Sequence, residues 1–158
     1  MAVGIPTFWV SFFTGNFDLE TLFSSNLVWH GHEMIFGFSS SLLAGFLLTA
    51  SAVWTKKKAY SNFKLIILVF FWLLERILYL YPTPIPLAIG VSFSFSLLFF
   101  IYMINMLWGN SRNFKIVIPI LFLFLIFKFF VLIGDFYSQD FIYKVGLHGG
   151  IFSIVFLL

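Results

Sequence analysis

Five long apolar runs, separated by short polar breaks, organise this chain. They cover residues 27–54, 63–81, 85–108, 114–134 and 140–158. A helix needs about 20 apolar residues to cross the hydrocarbon core of a bilayer, and these runs are of that order. A further apolar stretch, residues 2–13 (AVGIPTFWVSFF), is too short to span. No Lys or Arg precedes it and no small-residue cleavage site follows, so it reads as the tail of a spanning helix rather than a signal peptide. The polar stretch 14–26, with Asp18 and Glu20, reads as a loop. The last run is still apolar (GIFSIVFLL) at Leu158. The expected fold is all-α: a polytopic membrane helix bundle of about four full spans plus partial spans at both termini. It forms a single membrane domain over residues 1–158 that reads as an N-terminal fragment of a longer chain.

Composition supports this reading. Hydrophobic residues make up 61% of the chain, charged residues 9%, and the mean hydropathy is +1.05. Soluble domains carry about 25% charged residues, so lipid must replace water over much of this surface. The absence of cysteine excludes disulfides and thiolate chemistry. A net charge of +3, scattered along the chain, gives no nucleic-acid footprint.

Charge matters instead for orientation. Lys56, Lys57, Lys58 and Lys64 lie around the break between the first and second spans, and Arg112 and Lys115 around that between the third and fourth. The break at Pro82, Pro84 and Pro86 is uncharged, and the last one holds Asp135 and Asp140. By the positive-inside rule, loops 55–62 and 109–113 face the cytoplasm and residues 14–26 lie outside.

With that orientation, a rise of about 1.5 Å per residue places most ionisable residues of the spans in the outer third of the membrane. They are His30, His32, Glu33, Glu75, Arg76, Lys128 and His148. A charge at mid-membrane costs about 2.5–3.5 kcal/mol on insertion scales, so the clustering points to a polar site. Structural ion pairs are the alternative, and Lys128 reads as a side chain that snorkels on its long stem. Lys144 pairs with Asp140 one turn earlier. His30 and Glu33 share a helix face, whereas His32 lies about 200° round from His30 on a regular helix. The two imidazoles therefore serve different centres more readily than one ion. Imidazole suits haem iron and copper, and zinc also fits. Glu33 and Arg76 form a candidate interhelical pair, or Arg76 binds a haem propionate with its fork of donors. Glu75 is not expected to face Arg76, because neighbours on a helix diverge by about 100°. Gly37, Ser41 and Gly45 form a ladder that invites close helix packing.

The run Trp29–Thr55, WHGHEMIFGFSSSLLAGFLLTASAVWT, resembles the NnrS family of bacterial membrane proteins. The shared features are the WHxHEMxFGF segment (Trp29, His30, His32, Glu33, Met34, Phe36, Gly37, Phe38), then AGFLLTA at 44–50 and the Trp54-Thr55 pair. Lys56 departs from the glycine usual after that pair. The remaining spans, including Arg76, resemble the family more loosely. The resemblance implies a larger bundle containing haem and copper, linked to the nitric oxide response and resistance to nitrosative stress. The histidines that match its motif are His30 and His32, with His148 a looser match; residue chemistry then makes His30 and His32 the candidate metal ligands and His148 and Arg76 further candidate cofactor contacts, with Glu33 and Glu75 supporting. No catalytic residue is assigned. Implied partners are nitric oxide as ligand, membrane lipid, and neighbouring helices or the rest of a longer chain. A nitric oxide reductase-like enzyme, and a transporter or channel-like protein handling a small solute or protons, are the competing functions.

Overall fold

A computed structural model describes residues 23–60, 62–79, 84–108 and 116–157. Among them the chain is helical with no strand. The first span begins as α1 (Asn26–His32), opens into a π-helical segment (Glu33–Ser39), and continues as α2 (Ser40–Thr55). Then follow α3 (Asn62–Tyr79), α4 (Ile85–Leu107), α5 (Val117–Phe136) and α6 (Asp140–Leu157). Boundaries agree with the apolar runs to within two residues where both ends are described. The apolar stretch 2–13, most of the polar stretch after it, and the 109–113 loop lie outside the described residues.

Among the described residues, four helices are long and apolar enough to cross a membrane: Leu27–Thr55, Pro86–Leu107, Val117–Phe136 and Asp140–Leu157. The second run differs from expectation here. Its helix, α3, is 18 residues long and carries Lys64, Glu75 and Arg76, which makes it the most charged of the apolar runs.

Local chemistry sets the ends. Ser25 caps α1, its side chain accepting the Val28 N–H at 3.3 Å. Pro84 is extended and Pro86 sits in the first turn of α4, where a proline loses no helical hydrogen bond. At the other end of α4, the Lys57 ammonium donates to the carbonyls of Asn105, Met106 and Trp108 at 3.1, 2.8 and 2.9 Å. Those are the acceptors a helix leaves unpaired at its C-terminus. The loop lysine is thus bonded to a neighbouring helix, with Lys56 in the left-handed region (φ 53°) turning the chain towards it.

The core lies between α2, α4 and α5, where Leu43, Leu47, Phe95, Met103, Leu107 and Leu121 are buried. Elsewhere α5 and α6 form a tight antiparallel hairpin. A Cβ on Gly146 would lie 2.6 Å from the Val131 nitrogen and 2.7 Å from the Phe127 carbonyl oxygen. One on Gly134 would lie 2.6 Å from the Tyr143 Cα. The close approach that small residues permit in membranes therefore belongs to this hairpin. It does not extend along the Gly37-Ser41-Gly45 ladder, because a Cβ at Gly45 meets nothing within 4 Å.

Gly146→Ala, which must push two backbones apart, is expected to lower stability by about 1–3 kcal/mol, whereas Gly45→Ala is neutral or slightly stabilising. Thermal unfolding of both variants in detergent, followed by circular dichroism, distinguishes them; equal midpoints would refute this packing.

Candidate functional site

Glu75 lies one turn from the end of α3 and is fully buried, as is Lys128 on α5 (both 0% exposed). An unpaired charge could not remain there without a large desolvation cost. Lys128 Nζ donates to Glu75 Oε1 at 2.7 Å, to the Ser92 carbonyl oxygen at 2.7 Å and to Ser96 Oγ at 3.2 Å. That occupies all three of its N–H groups. Glu75 Oε1 also accepts from Ser92 Oγ at 2.9 Å and from the Tyr79 hydroxyl at 3.2 Å. The other oxygen, Oε2, takes Arg76 Nη1 at 2.7 Å. Ser92 and Ser96 are one turn apart on α4, so one helix face offers both to the ammonium. Lys128 therefore does not snorkel; three inward acceptors hold its head inside the bundle.

Arg76 links this pair to the first span. Its Nε lies 3.1 Å from Glu33 Oε2, confirming the interhelical pairing of Glu33 with Arg76. Its Nη1 bonds Glu75 as well as the Trp72 carbonyl at 3.3 Å, which corrects the expectation that Glu75 and Arg76 diverge. Their Cβ directions do diverge, but three methylenes let the guanidinium fold back along α3, where no water competes for the carboxylate. The Trp72 ring lies under the guanidinium, 5.0 Å from centroid to Cζ. The same indole donates to the Gly37 carbonyl at 3.0 Å, tying α3 to the π segment.

That segment was not apparent in the sequence. Ser39 Oγ bonds the Met34 carbonyl five residues back at 2.8 Å, and Ser40 Oγ bonds the Phe36 and Gly37 carbonyls at 2.5 and 3.0 Å. π segments often coincide with functional positions in helices, and this one carries Glu33 at its start. Gly37 lies against the ion pair: a Cβ there would meet Arg76 Nη2 and would lie 2.8 Å from Glu33 Oε2. Only glycine lets the guanidinium lie this close to the backbone.

His32 completes the chain of contacts. Its Nδ1 is 3.5 Å from Glu33 Oε1, an electrostatic contact too long for a good hydrogen bond. The ring is fully buried among Phe23, Phe36 and Tyr79, at centroid distances of 4.9, 5.5 and 5.3 Å. Among the described residues neither ring nitrogen has a hydrogen-bond partner, and the same holds for Glu33 Oε1, Arg76 Nε and Arg76 Nη2. Although Nε is close to Glu33, its N–H is not aimed at the carboxylate. Five buried polar atoms thus remain unsatisfied within three residues, against the general rule for protein interiors.

The other two histidines are not drawn into this group in the same way. His30 is half-buried on α1, which is regular through both histidines, so the imidazoles leave it in different directions. His148 is exposed on α6, its Nδ1 2.7 Å from the Lys144 carbonyl oxygen. Lys144 itself pairs with Asp140 at 2.6 Å, as its spacing predicts.

A family model described as NnrS protein matches residues 1–158, the whole sequence. The chain belongs to the NnrS family. No curated protein and no solved structure matches it. In this NnrS chain the sequence-derived residues His32, Glu33, Glu75 and Arg76 lie in one connected group, Lys128 of the same polar layer joins it instead of snorkelling, and Ser92, Ser96, Tyr79 and Trp72 join it unannounced. The Ser92-Ser96 spacing was the available signal for the lysine's seat. As metal donors, His32 fits through its unpartnered nitrogens. His148 fits because a carbonyl can only accept, so Nδ1 carries hydrogen and, in the neutral ring, Nε2 offers the lone pair. Among the described residues no three His, Cys, Asp or Glu side chains are grouped to hold a metal ion. Any centre held here would therefore draw further ligands from elsewhere.

Lys128→Met leaves a buried carboxylate short of its main partner and is expected to destabilise the protein by about 3–5 kcal/mol. Glu75→Leu combined with Lys128→Met removes both charges and is expected to recover most of that loss. Denaturant unfolding in detergent measures both; a double variant no better than the single would contradict the pairing.

Proposed function

We propose that this NnrS chain serves the cellular response to nitric oxide and nitrosative stress, contributing histidines to a haem and copper site in the bacterial inner membrane. The observation that carries the reading is His32: an imidazole wholly buried in a membrane protein of this family, with neither nitrogen hydrogen-bonded among the described residues. A ligand needs one nitrogen with a free lone pair, and His32 has one to offer, with the Glu33 carboxylate near the other.

The residues then take distinct roles. His32 offers a nitrogen to the metal, and Glu33, 3.5 Å from Nδ1, biases the ring's orientation. Arg76 lies between two carboxylates and steadies Glu33, while its Nε and Nη2, with no hydrogen-bond acceptor among the described residues, leave donors for a haem propionate. His148 presents Nε2 outward from α6, beside exposed Val145, Ile151, Phe152 and Val155, where a partner helix or the edge of a large cofactor can reach it. His30 is the remaining imidazole of the family motif. Phe23, Phe36 and Tyr79 keep water from His32. When bound, haem iron or copper supplies the centre at which nitric oxide coordinates. A solute pathway through the polar layer has less support, because Lys128 and Glu75 are closed off by their own hydrogen bonds.

Protein purified from membranes is expected to show a Soret band and to contain copper, with His32→Ala and His148→Ala each weakening the metal signals. A preparation reconstituted with both and still binding neither would overturn the proposal. Because the chain has no cysteine, single cysteines report orientation cleanly. One at position 57 is expected to resist a membrane-impermeant maleimide in intact cells, and one at position 20 to react; the reverse pattern would invert the topology.

A further inference from the structure

We propose that Lys128 is a positioning residue for the His32 site, acting across the bundle through Glu75 and Arg76. This rests on the reading of His32 as a site residue, but not on which cofactor it meets.

The contacts form a single line. Lys128 on α5 binds Glu75 Oε1, and Glu75 Oε2 binds Arg76 Nη1. Arg76 Nε faces Glu33 Oε2, and Glu33 Oε1 faces His32 Nδ1. Glu75 is hydrogen-bonded on both oxygens, whereas Glu33 meets Arg76 and His32 by charge and close approach, so the line is rigid at its Lys128 end and electrostatic at its His32 end. Two formal negative charges alternate with two formal positive ones, which lets the line exist in a low-dielectric interior.

The consequence lies in how Glu75 is shared. Lys128, Ser92 and Tyr79 occupy Oε1, leaving only Oε2 to the arginine. Arg76 therefore gives Nη1 to Glu75, and its Nε/Nη2 edge stays turned towards Glu33 and Gly37. That edge is the one suited to a two-point grip on a carboxylate. Without the ammonium, only the neutral Ser92 and Tyr79 hydroxyls would hold Oε1, the carboxylate would lack its second cation, and the guanidinium would rotate further onto it. Glu33 would lose its cation and the His32 ring its neighbouring carboxylate. Trp72 sharpens this control, because the same indole stacks on the guanidinium and holds the Gly37 carbonyl.

A merely structural lysine would disturb the bundle generally. A positioning lysine should move His32 selectively, and only while Arg76 is present to transmit the effect. The test uses the full chain without cofactor, labelled with ¹⁵N-histidine in nanodiscs, with the three imidazoles assigned by His30→Gln, His32→Gln and His148→Gln. Lys128→Met is expected to shift the His32 ring signals while leaving those of His148 in place, and Lys128→Arg to restore them. In an Arg76→Gln background, Lys128→Met should produce no further shift at His32. Should Lys128→Met fail to fold, Lys128→Gln removes the cation while keeping an amide donor for the Ser92 carbonyl and leaves the Glu75 carboxylate in place, and it is expected to shift the same His32 signals by a smaller amount. An unmoved His32 signal, or an equal shift in the Arg76→Gln background, would overturn the positioning role. Loss of the Soret band bears on the cofactor alone, so the two readings fail separately.

Discussion

A carboxylate and an ammonium buried together between α3 and α5 leave this bundle few ways to assemble. In lipid, water cannot substitute for a missing partner, so Glu75 and Lys128 must find each other before either helix can settle. The contact fixes more than a distance. Lys128 needs three acceptors, and the two that Glu75 does not provide come from Ser92 and Ser96 on α4. One ammonium thereby sets the rotation of three helices. Replacing such a pair by apolar residues is often neutral for stability. Its retention here makes more sense as a device for specificity, selecting one arrangement among helices whose outer surfaces are all equally greasy.

What that arrangement presents is a line of alternating charge ending at an imidazole. Towards Lys128 the line is saturated with hydrogen bonds; towards His32 it is not. The unsatisfied atoms are concentrated on His32, Glu33 and Arg76, next to a π segment and a glycine that admits the guanidinium. Such an uneven distribution is not what a structural ion-pair cluster needs. A rigid, satisfied anchor at one end with uncommitted polar groups at the other is how preorganised sites are generally supported.

Much of the fold was legible because membrane helices announce themselves by composition alone. Both ends of α4, the start of α6 and the prolines at the head of α4 followed from apolar runs and turn residues. The departures have local causes. The π segment depends on serine hydroxyls folding back onto carbonyls, Ser39 to Met34 and Ser40 to Phe36, and an apolar count does not register that. The tight glycine face turned out to belong to α6, since spacing alone cannot say which glycines find a neighbouring backbone. In the site, matched depth identified Glu33 with Arg76 correctly. It misjudged Lys128, because a lysine near a helix end can snorkel or turn inward. The choice depends on acceptors carried by another helix, which no reading of α5 by itself contains.

The two informative histidines differ in a way that bears on how a cofactor site could be shared. His148 has one nitrogen fixed by the Lys144 carbonyl on an exposed side chain, an arrangement suited to meeting something from outside this set of helices. His32 is walled in by three aromatic rings, and its nearest polar neighbour is a carboxylate already claimed by Arg76. A ligand set built from both would have to bridge an exposed helix face and a sealed interior. The simpler physical arrangement gives each imidazole its own centre, as the divergence of His30 and His32 on α1 also favours. On that view the buried charge line serves only the His32 side, and His148 depends on whatever covers α6.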